Sequence, residues 1–209
     1  KPDQARLLQE ALSQPGRERL RDLVRNPLRL MLLCGTWERW QHRGGLPDTQ
    51  AQLYEGFIEA FYHWKLEKIN KLSDLEIDQL QQRLNPQLGE LARDAIDRSA
   101  DRWRFTEKEI KETLGNDSKL VKIATQQLGL LTPVGMNAEN PNQRLYAFIH
   151  PTFQEYFSAC AIEDWHFFLN HVSHQPESGI YRIFDSQWKQ VILLWLGLDK
   201  ISTEEKEAF

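Results

Sequence analysis

His150 is the residue whose chemistry is easiest to read. It follows a β-like run, Arg144 to Ile149, and precedes Pro151 and an apolar series, Phe153, Tyr156, Phe157, Cys160 and Ala161. That series falls at i, i+3, i+4, i+7 and i+8, one face of a helix. Proline disfavours the α-region for the residue before it, so His150 is expected extended and outside the helix proper. Its imidazole would then lie beside the first helical N–H groups, at the positive end of the helix, where an anion is favoured. The chemistry is recognition: a ring N–H donated to a phosphate. The plainer reading is a partly exposed capping histidine with no ligand. Pro151 at the first helical position and Thr152 as cap of a Thr152–Glu155 capping box are competing registers, and the sequence leaves both open.

Asn26-Pro27 has the same form, a capping Asn before a proline suited to the first turn. The plain reading is a helix start; functionally, a rigid proline there can pack flat against a planar base. His166, His171 and His174 invite a metal reading, but their spacing crosses a loop and no Cys joins them. Structural zinc sites use tighter, paired spacings, so these are expected to be surface histidines. No phosphate loop G-x-x-x-x-G-K-[ST], G-x-G-x-x-G, G-x-S-x-G or H-E-x-x-H occurs, and no nucleophile–base pair can be argued. The chain is therefore not expected to be an enzyme by itself, and no metal or catalytic residue is assigned.

The elements that position these residues are mostly helices. Composition is that of a globular protein, 41% hydrophobic and 27% charged, and a net charge of -4 gives no footprint for nucleic acid. The longest apolar run, Val191 to Leu196, is far too short to span a membrane, and the polar stretch Lys1-Pro2-Asp3-Gln4 lacks the apolar region of a signal peptide. Cys34 and Cys160 are expected as buried thiols in a reducing, cytoplasmic setting. Both ends lie in helix-like sequence, so an excised fragment is expected.

Helices are predicted over 4–12, 17–24, 28–40 (nearly all apolar at first, hence central to a bundle) and from Thr49 onward with Leu53, Phe57, Ala60, Phe61 and Trp64. The aromatic stripe Trp37, Trp40, Phe57, Phe61 and Trp64 reads as core. Ser73 starts another helix, and Asn85-Pro86 repeats the cap-plus-proline start. Thr106 and Glu109 form a capping box for a short helix ending at Gly115. Ser118 to Leu128 is the next helix, with Gly129 as C-cap. Two β-like runs, 130–134 and 144–149, flank a polar loop and make a two-stranded wing. A helix over 152–168, a polar break and a last apolar helix over 186–196 complete the chain. The expected fold is mainly α: a helical bundle (1–70), a winged-helix domain including the helix after the wing (71–165), and the start of a helical C-terminal arm (166–209).

Three stretches together resemble the part of NACHT-type STAND NTPases (NLR-like, bacterial) that follows the nucleotide-binding core. They are Asn26-Pro27-Leu28-Arg29-Leu30-Met31-Leu32-Leu33-Cys34, Leu46-Pro47 with Leu53-Tyr54-Glu55, and Phe148-Ile149-His150-Pro151-Thr152-Phe153-Gln154-Glu155-Tyr156-Phe157. The likeness covers about residues 1–165. Tyr181-Arg182-Ile183-Phe184 with Gln187-Trp188-Lys189 looks like the start of the C-terminal arm of bacterial members. The resemblance implies a signalling ATPase that rests with ADP bound and oligomerises on activation. It implies Pro27 near adenine and His150 on the ADP β-phosphate, holding a closed state. The phosphate loop and the acidic Mg²⁺-binding segment would belong to an upstream core of the same chain, the main implied partner, and tight binding of ADP or ATP by the present residues alone is not expected. Two rival readings are a winged-helix DNA binder with Ser118 to Leu128 as recognition helix, made unlike by its having only Lys119 and Lys122 and by the acidic total, and a protein-interaction scaffold.

Overall fold

The computed structural model describes all residues except 1, 43–44, 71, 99–100, 139 and 172–178, together with the side chains at 2 and 68–70. The chain divides into two compact units, Lys1–Phe61 and Tyr62–Phe209. It is mainly helical with a small three-stranded antiparallel sheet.

The first unit contains α1 (Pro2–Ser13), α2 (Glu18–Leu23), α3 (Pro27–His42) and the start of α4 (Gln50–Asn70). Asn26 starts α3 as its sequence suggests: its Oδ1 accepts from the N–H groups of Leu28 (3.0 Å) and Arg29 (3.3 Å). Thr49 caps α4, its Oγ1 accepting from Gln52 N at 3.1 Å. The core gathers Leu20, Leu32, Leu33, Trp37, Leu53, Tyr54 and Ile58. The Trp40 ring packs close against Gly56, where an added Cβ would stand 2.5 Å from a ring carbon. Two expectations are corrected. The apolar start of α3 is not wholly buried: Leu30 is 40% exposed, Met31 55%, and Cys34 is also exposed, so that thiol is not the buried one expected. The helix has more apolar faces than its neighbours within the unit cover.

The second unit holds the remainder of α4, α5 (Asp74–Ile96), β1 (Phe105–Thr106), α6 (Glu107–Thr113), α7 (Ser118–Lys122), β2 (Leu131–Met136), β3 (Arg144–Phe148), α8 (Pro151–Cys160), α9 (Lys189–Leu196) and α10 (Thr203–Ala208). Trp64, expected in the core, is 53% exposed. Asn85-Pro86 does not start a helix. Here α5 runs through Pro86, because Leu84, Leu88, Leu91, Ala92 and Ala95 all bury one face, and packing outweighs the bond that proline removes. Asn85 has another use: its Oδ1 accepts from Tyr62 Oη at 2.7 Å. Burial pushes the Tyr62 phenol well above its usual range, keeping it a donor.

The order α5-β1-α6-α7-β2-β3 with sheet order β1-β3-β2 is a winged-helix arrangement. The two expected runs pair as β2 and β3, and a third strand that was not expected, β1, joins beside β3 through Phe105↔Tyr146 and Thr106↔Leu145. Thr106 also closes the expected capping box, its N–H and hydroxyl both donating to Glu109 Oε2. The helix read over 118–128 is capped one residue earlier, by Asp117 (2.9 Å to Lys119 N), and changes into a π-turn over Ile123–Gln127 before Gly129 ends it at φ +70°. Pro133 sits in β2, a sheet edge, where its missing N–H breaks no ladder. The helix read over 152–168 stops at Cys160; a separate 3₁₀ turn, Trp165–Leu169, follows. At Gly89 α5 and α8 nearly touch: a Cβ there would lie 2.9 Å from both Ala161 Cβ and the Phe157 carbonyl oxygen.

Candidate phosphate-facing histidine

His150 is fixed from both sides by aromatic packing. Phe148 and Phe153 are buried, and Phe148 meets Phe105 edge-on (5.6 Å) and Phe157 at a tilt (5.7 Å). Ile149 N–H donates to the Leu130 carbonyl at 2.9 Å, so the chain enters α8 at a fixed angle. His150 is extended (φ −154°, ψ 145°), as a residue before proline should be. The two registers are thereby resolved: His150 is the cap, Pro151 takes the first helical position and Thr152 lies inside α8.

The cap is made by the imidazole. Nδ1 accepts from Thr152 N–H at 3.2 Å and meets Thr152 Oγ1 at 2.9 Å. An Nδ1 that accepts leaves the proton on Nε2 in the neutral ring. The ring is exposed, and among the described residues Nε2 has no partner. This changes the expected chemistry. The sequence suggests unsatisfied N–H groups beside the ring. In the structure Pro151 has none, Thr152 donates to Nδ1, and Phe153 donates to the His150 carbonyl at 3.0 Å. An anion would meet one donor, Nε2–H, rather than a cradle of backbone amides. One turn on, buried Gln154 donates through Nε2 to the Arg102 carbonyl at 2.6 Å and pins α8 to the segment before β1.

Pro27 lies in the other unit, exposed at the first position of α3. It begins an exposed apolar stripe, Pro27, Leu30, Met31 and Cys34, at i, i+3, i+4 and i+7. Of the three histidines, His166 is exposed with Nδ1 2.6 Å from Asp164 Oδ1, His171 packs its ring on Tyr181, and His174 lies outside the described residues. Among the described residues no three His, Cys, Asp or Glu groups could hold a metal. No described helix is long and apolar enough to cross a membrane. Cys160, the second thiol expected in the core, is half-buried.

One cluster was missed by reading the sequence. Asp97 caps the C-terminal end of α5 and is 7% exposed; Arg182 is 4% exposed. Arg182 donates from Nε (3.0 Å) and Nη2 (2.6 Å) to the two Asp97 oxygens, and Trp188 Nε1 donates to Asp97 Oδ1 at 3.1 Å. The guanidinium lies 4.1 Å over the Phe167 ring. The available signal was an Asp at a helix C-terminus and a lone Arg among Tyr181, Ile183 and Phe184. Comparison of the chain with protein-family models, curated proteins and solved structures gave no match.

Proposed function

We propose that the chain is a regulatory module, helical bundle plus winged helix, of an ATP/ADP-dependent signalling switch of the NACHT/STAND kind. It helps hold ADP and gates oligomerisation in the cytoplasm. His150 donates Nε2–H to the β-phosphate, and Pro27 packs beside the adenine. A nucleotide-binding core upstream in the same chain supplies the phosphate loop and Mg²⁺ ligands. The present residues turn over no ATP. One observation carries the reading: Nδ1 of His150 is engaged by its own cap, which sets the tautomer and presents Nε2–H outward from a rigid joint. The apolar stripe on α3 supports a docked partner, since exposed apolar surface at helical spacing marks an interaction face.

The winged-helix order also suits a DNA binder, with Lys119 and Lys122 exposed on α7. Two phosphate contacts would give little affinity at physiological salt. The test uses the protein with its nucleotide-binding core. His150→Ala should release ADP during gel filtration and shift the protein toward its oligomer, while the wild type retains ADP as a monomer. Unchanged ADP content and oligomeric state in the variant would defeat the proposal. A salt-dependent gel shift by the 209 residues on duplex DNA would favour the DNA reading instead.

A further inference from the structure

We propose that Asp97, Arg182 and Trp188 form a latch that fixes the C-terminal arm (165–209) to the winged helix, so that the arm docks or releases as one cooperative unit. The proposal stands on geometry and does not depend on what His150 meets.

Asp97 is placed against local preference. A carboxylate at a helix C-terminus faces the negative end of the dipole, and here it is also buried. What compensates it comes from 85 and 91 residues away: two donors of Arg182 and the indole of Trp188, all in the arm. Arg182 is in turn braced by the arm. Its Nη1 donates to the Phe167 carbonyl at 3.2 Å, its own N–H donates to the Asn170 carbonyl at 3.1 Å, and its guanidinium lies over the Phe167 ring.

The arm has a core of its own. Phe168 packs against Trp188 (6.2 Å), Trp195 (5.7 Å) and Phe209 (5.6 Å). Two further polar attachments lie at the C-terminal end of α8: Trp195 Nε1 to the Ile162 carbonyl at 3.0 Å and Lys200 Nζ to the Cys160 carbonyl at 2.6 Å. α9 also packs along α8, so release uncovers apolar surface on both sides while the aromatic cluster holds the arm's own elements to one another. A buried ion pair makes the departure all-or-none, because a half-made latch strands one charge in an apolar setting, which is worse than either end state.

Native-state hydrogen exchange of the intact wild-type chain in low guanidinium tests this without a mutation. Amides of Val191–Trp195 and of Phe167–Phe168 should merge on one opening isotherm lying below that of the α5 amides near Leu88–Ala92. A single isotherm for arm and α5, or scattered isotherms within the arm, overturns the latch. Asp97→Asn should then speed exchange in the arm by roughly a hundredfold or more and leave α5 unchanged. The pair Asp97→Leu with Arg182→Met, which strands no charge, should bring the arm back to within about tenfold of wild type. Equal acceleration of arm and α5 in Asp97→Asn, or no rescue by the apolar pair, also counts against it.

Discussion

His150 has two separable jobs, and two substitutions tell them apart. Its Nδ1 caps α8 by accepting from Thr152 N–H at 3.2 Å, while Nε2–H faces outward. His150→Ala removes both. Losing a side-chain cap costs about 1 kcal/mol. In a cooperative unit of the size of Tyr62–Phe209 that lowers Tm by roughly 2–4 °C. His150→Asn restores a short capping acceptor, and Asn is among the best caps, so its melting should stay close to wild type. Ala carries no donor, and Asn with its Oδ1 on the cap carries its amide N–H groups nearer the backbone, at the position of the ring Cδ2, so neither variant keeps a donor where Nε2 stood. A hydrogen bond to a charged phosphate is worth about 1.5–3 kcal/mol, so both should lose ADP roughly 10- to 150-fold faster. Melting is measured on the 209 residues, and ADP dissociation on the protein with its nucleotide-binding core. The decisive result is the Asn variant. Wild-type ADP retention there would mean that Nε2 touches no phosphate. Ala and Asn variants melting alike would mean that the imidazole cap contributes nothing.

Gly89→Ala should lower the urea midpoint by about 1–2 kcal/mol of stability, overpacking against Ala161 and the Phe157 carbonyl outweighing the helix preference for Ala. Gly35→Ala, with open space around its Cβ, should raise it by up to about 1 kcal/mol, and equal effects at the two sites would refute the close approach. Acid should destabilise the fold through three capping carboxylates held below their usual values: exposed Glu76 by the Ser73 hydroxyl and N–H, half-buried Asp117 by Leu120 N–H, and exposed Asp164 by His166 N–H. A depressed folded pKa gives stability that is complete above about pH 5 and lost as pH falls through the folded values, so Tm should hold down to about pH 5 and fall below it, less steeply in Ser73→Ala; a flat profile to about pH 3 is the contrary result. Met31→Lys should leave the melting of the 209 residues within about 0.5 kcal/mol, because Met31 is 55% exposed, yet weaken docking to the nucleotide-binding core more than about tenfold; an equal loss of stability would make Met31 part of this chain's own core.

Local capping signals were legible because they are closed over three or four residues. Thr106 with Glu109 and Asn26 before Pro27 form the hydrogen bonds their sequences suggest. The same local signal at Asn85-Pro86 misled, since nothing nearby says that α5 buries a face along α8 or that Asn85 is held by Tyr62. Strand β1 was invisible for a different reason: two residues show no alternation, and only pairing with β3 defines them. At the site, Pro151 made the extended His150 readable. What could not be read was that the ring would consume the N–H it was expected to sit beside. Asp97 and Arg182 were unreadable as a pair, being 85 residues apart with no periodic pattern joining them.

Four of the buried polar residues are spent on the fold, the Ser158 hydroxyl being the exception without a partner among the described residues, whereas His150 keeps one nitrogen for the solvent. Thr36 bonds the Leu32 carbonyl and receives the Trp40 indole, Gln154 bonds the Arg102 carbonyl, and Asp97 and Arg182 bond each other. These groups are engaged in holding the fold. His150 is engaged on one nitrogen only, and its other nitrogen faces solvent from a joint held by Phe148 and Phe153. In water a donor so exposed gains little from an acceptor, because water competes equally well. The contact becomes selective only when a surface closes over it and lowers the local dielectric. Ile149, the residue before His150, is 46% exposed and offers apolar surface on which such a cover could close. On the proposed reading, this donor of fixed tautomer and the apolar surface near it form one half of a binding site, and the nucleotide-binding core brings the acceptor oxygen and the cover.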